Sequence, residues 1–256
     1  MNKYIFMILV AVFVMGANSS KPYANNEKNS PIEEVEREDV TGDGRIDTIS
    51  IKESIVKESN NEVVKEILQL DIAGEKQPVT IPLSAGDPWL LLTDLNNDGV
   101  KDVFVTIRSR EKEDKVKVYS YTFKNKEKKD LSIPPIVQTT GRLLDDYKAE
   151  LKVLNHVHLI DLRASKRALE QSKVYRSGQL LKSTDLTISD YVQLKPIITK
   201  TGKGIRGVQR VKGPIPNKIV GELISVWYYR EGKWMLQDID YSSNYKKVYH
   251  YIDLSG

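Results

Sequence analysis

The sequence predicts a mainly β fold with little helix, built from repeated antiparallel strand groups. Three observations carry this. Apolar and polar residues alternate with period two through most of the chain, as over 67–72 and 116–123, the spacing of strands that bury one face. Turn residues break these runs at short intervals, as at Ala73-Gly74-Glu75-Lys76 and Arg230-Glu231-Gly232-Lys233. Helical spacing is confined to 164–173, where Ala168 and Leu169 supply a narrow apolar face.

In chain order, Lys3, the unbroken apolar run 4–15, and then Gly16, Ala17, Ser19, Ser20 and Ala24 read as a secretory signal peptide over 1–24. The run is too short for a spanning helix, which needs about 20 apolar residues. Cleavage fits after Ala17, Ser19 or Ala24, with Ala24 preferred; retention as an uncleaved anchor is the alternative. The remainder is then expected outside the cytoplasm, secreted or associated with the cell wall. Residues 25–31 form a polar, flexible leader, and 32–256 form one β domain.

A repeat emerges within that domain. The segment 39–47 precedes the strand 48–51 and a hairpin of 67–72 with 79–83. The segment 94–102 precedes 103–107 and a hairpin of 116–123 with 131–133. A third segment, 199–207, keeps the sixth-position glycine but no acid, and precedes 208–211 and a hairpin of 223–229 with 234–239. Three strand groups, each opening on a glycine-containing loop, are propeller-like blades. The insert 136–190, with a hairpin of 149–153 and 158–162, is the place for a diverged fourth blade, without which a ring cannot close.

Composition narrows the chemistry. With 40% apolar and 29% charged residues, collagen-like, disordered and multi-span membrane chains are disfavoured. No cysteine is present, which removes disulfides, thiolate zinc, iron–sulfur clusters and cysteine nucleophiles, so oxygen or the three histidines must hold any metal. The formal charge of +4 hides a division: acids dominate 27–47, whereas 191–221 carries Lys195, Lys200, Lys203, Arg206, Arg210, Lys212 and Lys218 with no acid. On an exported chain such a stretch suits an anionic cell-wall polymer or lipid headgroups; nucleic acid does not fit the export signal, and a solvated face is the plainer alternative.

The loops 39–47 and 94–102 carry the strongest chemical signal. A hard cation such as Ca²⁺ takes six to eight oxygens, and alternate positions of a tight loop can point at one centre. In the second loop these are Asp94, Asn96, Asp98, the Val100 carbonyl and Asp102, with Gly99 in the sharp turn. The first offers Asp39, Thr41, Asp43, the Arg45 carbonyl and Asp47, with Gly44 in the turn. An EF-hand is excluded, because its twelfth position requires a glutamate on a helix, and Ser50 and Val105 stand there within strands. A plain Asp/Asn-Gly turn is the structural alternative. The third loop, 199–207, has Thr199, Thr201, Lys203 and Gly207 in place of acids, so it is expected to be empty, with the Lys203 ammonium pointing into it or solvated.

Loop-then-strand context with aspartate at position nine resembles the calcium loops of FG-GAP and VCBS repeats, as in integrin α-subunit propellers. The mature chain resembles the small secreted VCBS-repeat proteins of Gram-positive bacteria. The resemblance covers two nine-residue loops strongly and a third weakly, and implies calcium held by the ten positions just named, in two sites.

Other signals point nowhere firm. Gly202-x-Gly204-x-x-Gly207 matches a dinucleotide fingerprint but precedes a strand, not a helix. His156 and His158 lack a third ligand, and Asp238 and Asp240 share a strand face as a glycosidase pair might, though such acids are usually solvated. No nucleophile elbow, zincin motif or P-loop occurs. The aromatics Trp227, Tyr228, Tyr229, Trp234 and the tyrosines 241, 245, 249 and 251 suit core packing or a sugar or partner surface. The function expected is that of a secreted, calcium-binding, non-catalytic protein that binds a wall polymer, glycan or envelope protein. The alternatives are a carbohydrate-active enzyme using unrecognised acids, or a structural envelope or spore component.

Overall fold

A computed structural model of the chain describes residues 34–58, 61–110, 115–216, 218–243 and 252–253. The expected signal peptide 1–24, the leader 25–31 and the tyrosines 245, 249 and 251 lie outside them. The fold is mainly β. The first sheet is an antiparallel meander of β1 (Glu34–Glu38), β2 (Asp47–Glu58), β3 (Asn61–Asp71) and β4 (Val79–Pro82). The second repeats it with β5 (Asp87–Thr93), β6 (Asp102–Arg108), β7 (Val116–Thr122) and β8 (Lys129–Asp130), with a 3-10 turn at Lys124–Lys126 between the last two.

The insert holds a three-stranded sheet of β9 (Thr139–Leu144), β10 (Lys148–Val153) and β11 (His156–Asp161). The short helix α1 (Lys166–Gln171) and the hairpin β12 (Tyr175–Arg176) with β13 (Gln179–Leu180) follow. The last sheet has β14 (Thr187–Thr199), β15 (Gly202–Lys212), β16 (Ile219–Arg230), β17 (Lys233–Ser242) and β18 (Ile252–Asp253), in the order β17-β16-β15-β14-β18.

Sheets stack on sheets. One core joins Ile49, Ile51, Leu68 and Leu70 of the first sheet to Val103, Val105 and Ile107 of the second. The alternate residue Phe104 points the other way, into a core with Tyr191, Ile205, Trp227 and Trp234 of the last sheet. The second sheet is therefore buried on both faces, which is why β6 reads as a nearly continuous apolar run. A third core joins Leu151, Ile160 and Leu169 of the insert to Val211 and Leu223. Each such fully buried side chain stabilises by about 1.5–3 kcal/mol.

Two expectations are corrected. The segment 199–207 is not a loop: β14 runs to Thr199 and β15 starts at Gly202, leaving a two-residue turn. Gly204 and Gly207 serve close packing within a strand. A Cβ on Gly204 would lie 2.2 Å from the Trp227 carbonyl oxygen, and one on Gly207 would lie 2.4 Å from Tyr191. Likewise, the strand expected at 131–133 is confined to Lys129–Asp130, because the chain turns away at Ser132, which is left-handed with φ of 57°. The insert forms a three-stranded sheet, a helix and a hairpin, and the expected pairing of 149–153 with 158–162 is that of β10 with β11.

Candidate metal centre

Both candidate loops leave a first strand and end on the first residue of a second, so 39–46 joins β1 to β2 and 94–101 joins β5 to β6. They share one hydrogen-bond scaffold. The first carboxylate accepts the sixth-position N–H, Gly44 to Asp39 at 2.8 Å and Gly99 to Asp94 at 3.0 Å. The fifth carboxylate accepts the seventh-position N–H, Arg45 to Asp43 and Val100 to Asp98, both at 3.0 Å. The ninth accepts the second-position N–H, Val40 to Asp47 at 3.1 Å and Leu95 to Asp102 at 2.8 Å. Positions four and six are left-handed in both, with φ of 77° and 83° at Gly42 and Gly44, and 59° and 89° at Asn97 and Gly99.

The third position is the hub of each loop. In the first, the Thr41 hydroxyl lies 3.3 Å from Asp39 Oδ1 and 3.2 Å from Asp47 Oδ2. In the second, the Asn96 amide nitrogen lies 3.1 Å from Asp98 Oδ2 and 3.4 Å from Asp102 Oδ1. Asp47 and Asp102 are fully buried, as are Val40 and Leu95 beside them, so each loop is pinned at its base by an acid inside the core. Asp47 also accepts the Ala73 N–H at 2.9 Å, tying in the connection that follows β3.

Burial pushes the Asp102 carboxyl up to about 7, against the pull of the Asn96 and Leu95 N–H groups. Burial also acts to raise Asp39, but the N–H groups of Gly44 and Gly42 and the Thr41 hydroxyl hold it below the usual range. Asp43 is lowered mainly by the Arg45 guanidinium, whose Nη2 is 2.7 Å away.

The donor chemistry suits a hard cation, since every carboxylate oxygen that accepts one N–H keeps further lone pairs. The arrangement is not that of a closed cage. Among the described residues no three acidic or histidine side chains stand close enough to ligate one ion. The position-five carboxylates each have a cation close by. Lys126 Nζ lies 3.6 Å from Asp43, which also pairs with Arg45, and Lys124 Nζ lies 3.5 Å from Asp98. Both aspartates are about one quarter exposed, and Asp98 already meets its hub through the Asn96 amide.

Sequence reasoning missed these lysines and the contacts that line the loops up. A Cβ on Gly42 would lie 3.0 Å from Val100, so the first loop touches the second. Asn97 in turn accepts the Lys203 N–H at 3.1 Å and donates to the Lys203 carbonyl at 3.3 Å. Pairs 26 to 106 residues apart leave no local signal. The remaining candidates are dispersed. His158 stacks near Tyr241, with ring centroids 5.4 Å apart. On the last sheet Lys195, Arg206, Val226 and Asp238 form one row, and Arg210 of the cationic stretch 191–221 stands opposite Glu222.

Comparison with curated proteins gives no match, nor does comparison with solved structures. Residues 137–242, well under half of the chain, match the family model described as the YybI C-terminal domain, a stretch that takes in the insert and β14 to β17 but neither candidate loop.

Proposed function

We propose that this chain is a non-catalytic, calcium-stabilised β-repeat protein that works outside the cytoplasm, where it binds a wall polymer, glycan or protein of the cell envelope. The first, second and last sheets act in it as propeller-like blades. One observation carries the calcium reading: the same three-bond scaffold, with the same left-handed positions, is built twice at the same point of two successive sheets. A plain turn needs no third carboxylate at position nine, and here that carboxylate is buried both times. The resemblance to FG-GAP and VCBS loops supports the same assignment.

Asp39, Thr41, Asp43, Asp47 and the Arg45 carbonyl would hold one ion, and Asp94, Asn96, Asp98, Asp102 and the Val100 carbonyl the other. A bound Ca²⁺ supplies two positive charges that neutralise mutually repelling carboxylates. The chain's own contribution is to aim the N–H groups at the carboxylates in advance and to bury the base of each loop. Extracellular sites of this kind bind at about 10⁻⁴–10⁻³ M. At tenfold excess over Kd each site then adds about 1.4 kcal/mol, and two sites raise Tm by about 5–10 °C in a chain of this size. Scanning calorimetry in millimolar calcium and in chelator measures this, with the paired variant Asp39→Asn/Asp94→Asn expected to lose the shift. Identical melting of the unaltered chain in both buffers would sink the reading.

A further inference from the structure

We propose that Lys124 and Lys126 are built-in counter-cations, one for each loop, that set the affinity of the two sites for a divalent cation. The proposal rests on the calcium reading above. The turn Lys124–Lys126 is docked on the first loop by its backbone: the Asn125 N–H donates to the Thr41 carbonyl at 2.9 Å, at position three of that loop. Asn125 and Lys126 are both left-handed, with φ of 59° and 62°, a conformation that non-glycine residues seldom adopt twice in succession.

The two flanking ammonium groups part in opposite directions. Lys124 donates to the Asp98 carbonyl at 2.8 Å and stands 3.5 Å from its carboxylate. Lys126 pairs with Glu75 at 2.8 Å and stands 3.6 Å from the Asp43 carboxylate. Each lysine thus reaches the fifth position of a different loop, one of the acids that would ligate an ion there.

An ion arriving at either loop must displace an ammonium from that acid or bind beside its charge, and both weaken binding. Without the ion, the same ammonium offsets the repulsion among the loop acids and keeps the loop folded. Both lysines have a second anchor, Glu75 for Lys126 and the Asp98 carbonyl for Lys124, so each can release its carboxylate without becoming unpaired. The first loop carries a further cation, Arg45, on Asp43. The second loop is therefore the tighter site.

The test is calorimetric titration of the full chain with calcium chloride, one loop at a time. Lys126→Met is titrated in an Asp94→Asn background and Lys124→Met in an Asp39→Asn background. Each is expected to tighten its Kd about three- to tenfold at low salt, an effect that shrinks as salt screens the partly exposed pair. The calcium-free melting temperature of each should fall at the same time, a pairing of effects that mere loss of packing does not produce. Lys124→Arg and Lys126→Arg should stay within about twofold of the parent, and Lys→Gln replaces Lys→Met if the latter melts too low to titrate. Unchanged Kd in the charge-removing variants of a chain that binds calcium overturns the lysine role alone. A chain that binds no calcium overturns the calcium reading and the lysine role together.

Discussion

Glu66 is the acid least well served by its surroundings. It lies in the inward phase of β3 with Leu68 and Leu70, 1% exposed, and neither carboxylate oxygen has a well-formed hydrogen bond. Glu53 stands directly across the ladder, and the nearest cation, Arg110 Nη2, is 3.9 Å away and shared with Asp87 and Glu53. Burial first, and Glu53 second, push its pKa above the ordinary 4.5. A raised folded-state value means that the folded chain holds the proton more tightly. Its stabilising contribution is thus full below about 4.5 and is lost as pH rises through the folded value. Glu66→Gln should flatten that loss and stabilise the chain by about 1 kcal/mol at pH 8 while changing little at pH 4.5. Urea denaturation at the two pH values checks this, and an equal effect at both would contradict it. An acid in the inward phase of an alternating strand is visible in the sequence as a broken pattern. The identity of its neighbours is not, because Glu53, Asp87 and Arg110 arrive from three other segments.

The loops were the most legible elements, because the six bonds of their shared scaffold are local, each carboxylate and N–H within seven residues, whereas the bond from Ala73 to Asp47 spans 26. The strand alternation placed β3, β7, β10, β16 and β17 for the same reason. The third loop misled because glycine has two uses that look alike in a string of letters, left-handed turning and close backbone approach, and only a partner strand tells them apart. Gly204 and Gly207 belong to the second use, facing Trp227 and Tyr191. At this scale Asn97 does both jobs, being left-handed at φ 59° and clasping the Lys203 backbone with its amide. Asn97→Gly keeps the turn and loses the clasp, so it should cost about 1–2 kcal/mol. Asn97→Ala should cost about 1 kcal/mol more, from left-handed strain. Chemical denaturation of the two variants measures the difference, and equal costs would show that backbone strain plays no part.

At the scale of the whole molecule, the boundaries of the family match and of the packing do not coincide. The matched stretch 137–242 contains Leu194, Ile205, Trp227 and Trp234, whose core is completed by Leu95, Phe104 and Leu131 from outside it. A chain cut to 137–242 should therefore bind a hydrophobic dye and show weak near-ultraviolet dichroism, the marks of lost side-chain packing. Cooperative melting of that fragment at the full chain's temperature would refute this. Face-to-face stacking of sheets was not legible in the sequence, since alternation says that a strand has an inner face but not which sheet covers it. Only the apolar run of β6 hinted at a sheet covered twice. The contact of Gly42 with Val100 and of Asn97 with Lys203 sets the strand connections of three sheets side by side in one row. The row behaves like the bound spine of a book. Local opening cannot begin there without breaking several contacts between sheets at once, so amide exchange should be slowest at the strand ends that meet the spine and quicken toward the free margin of each page.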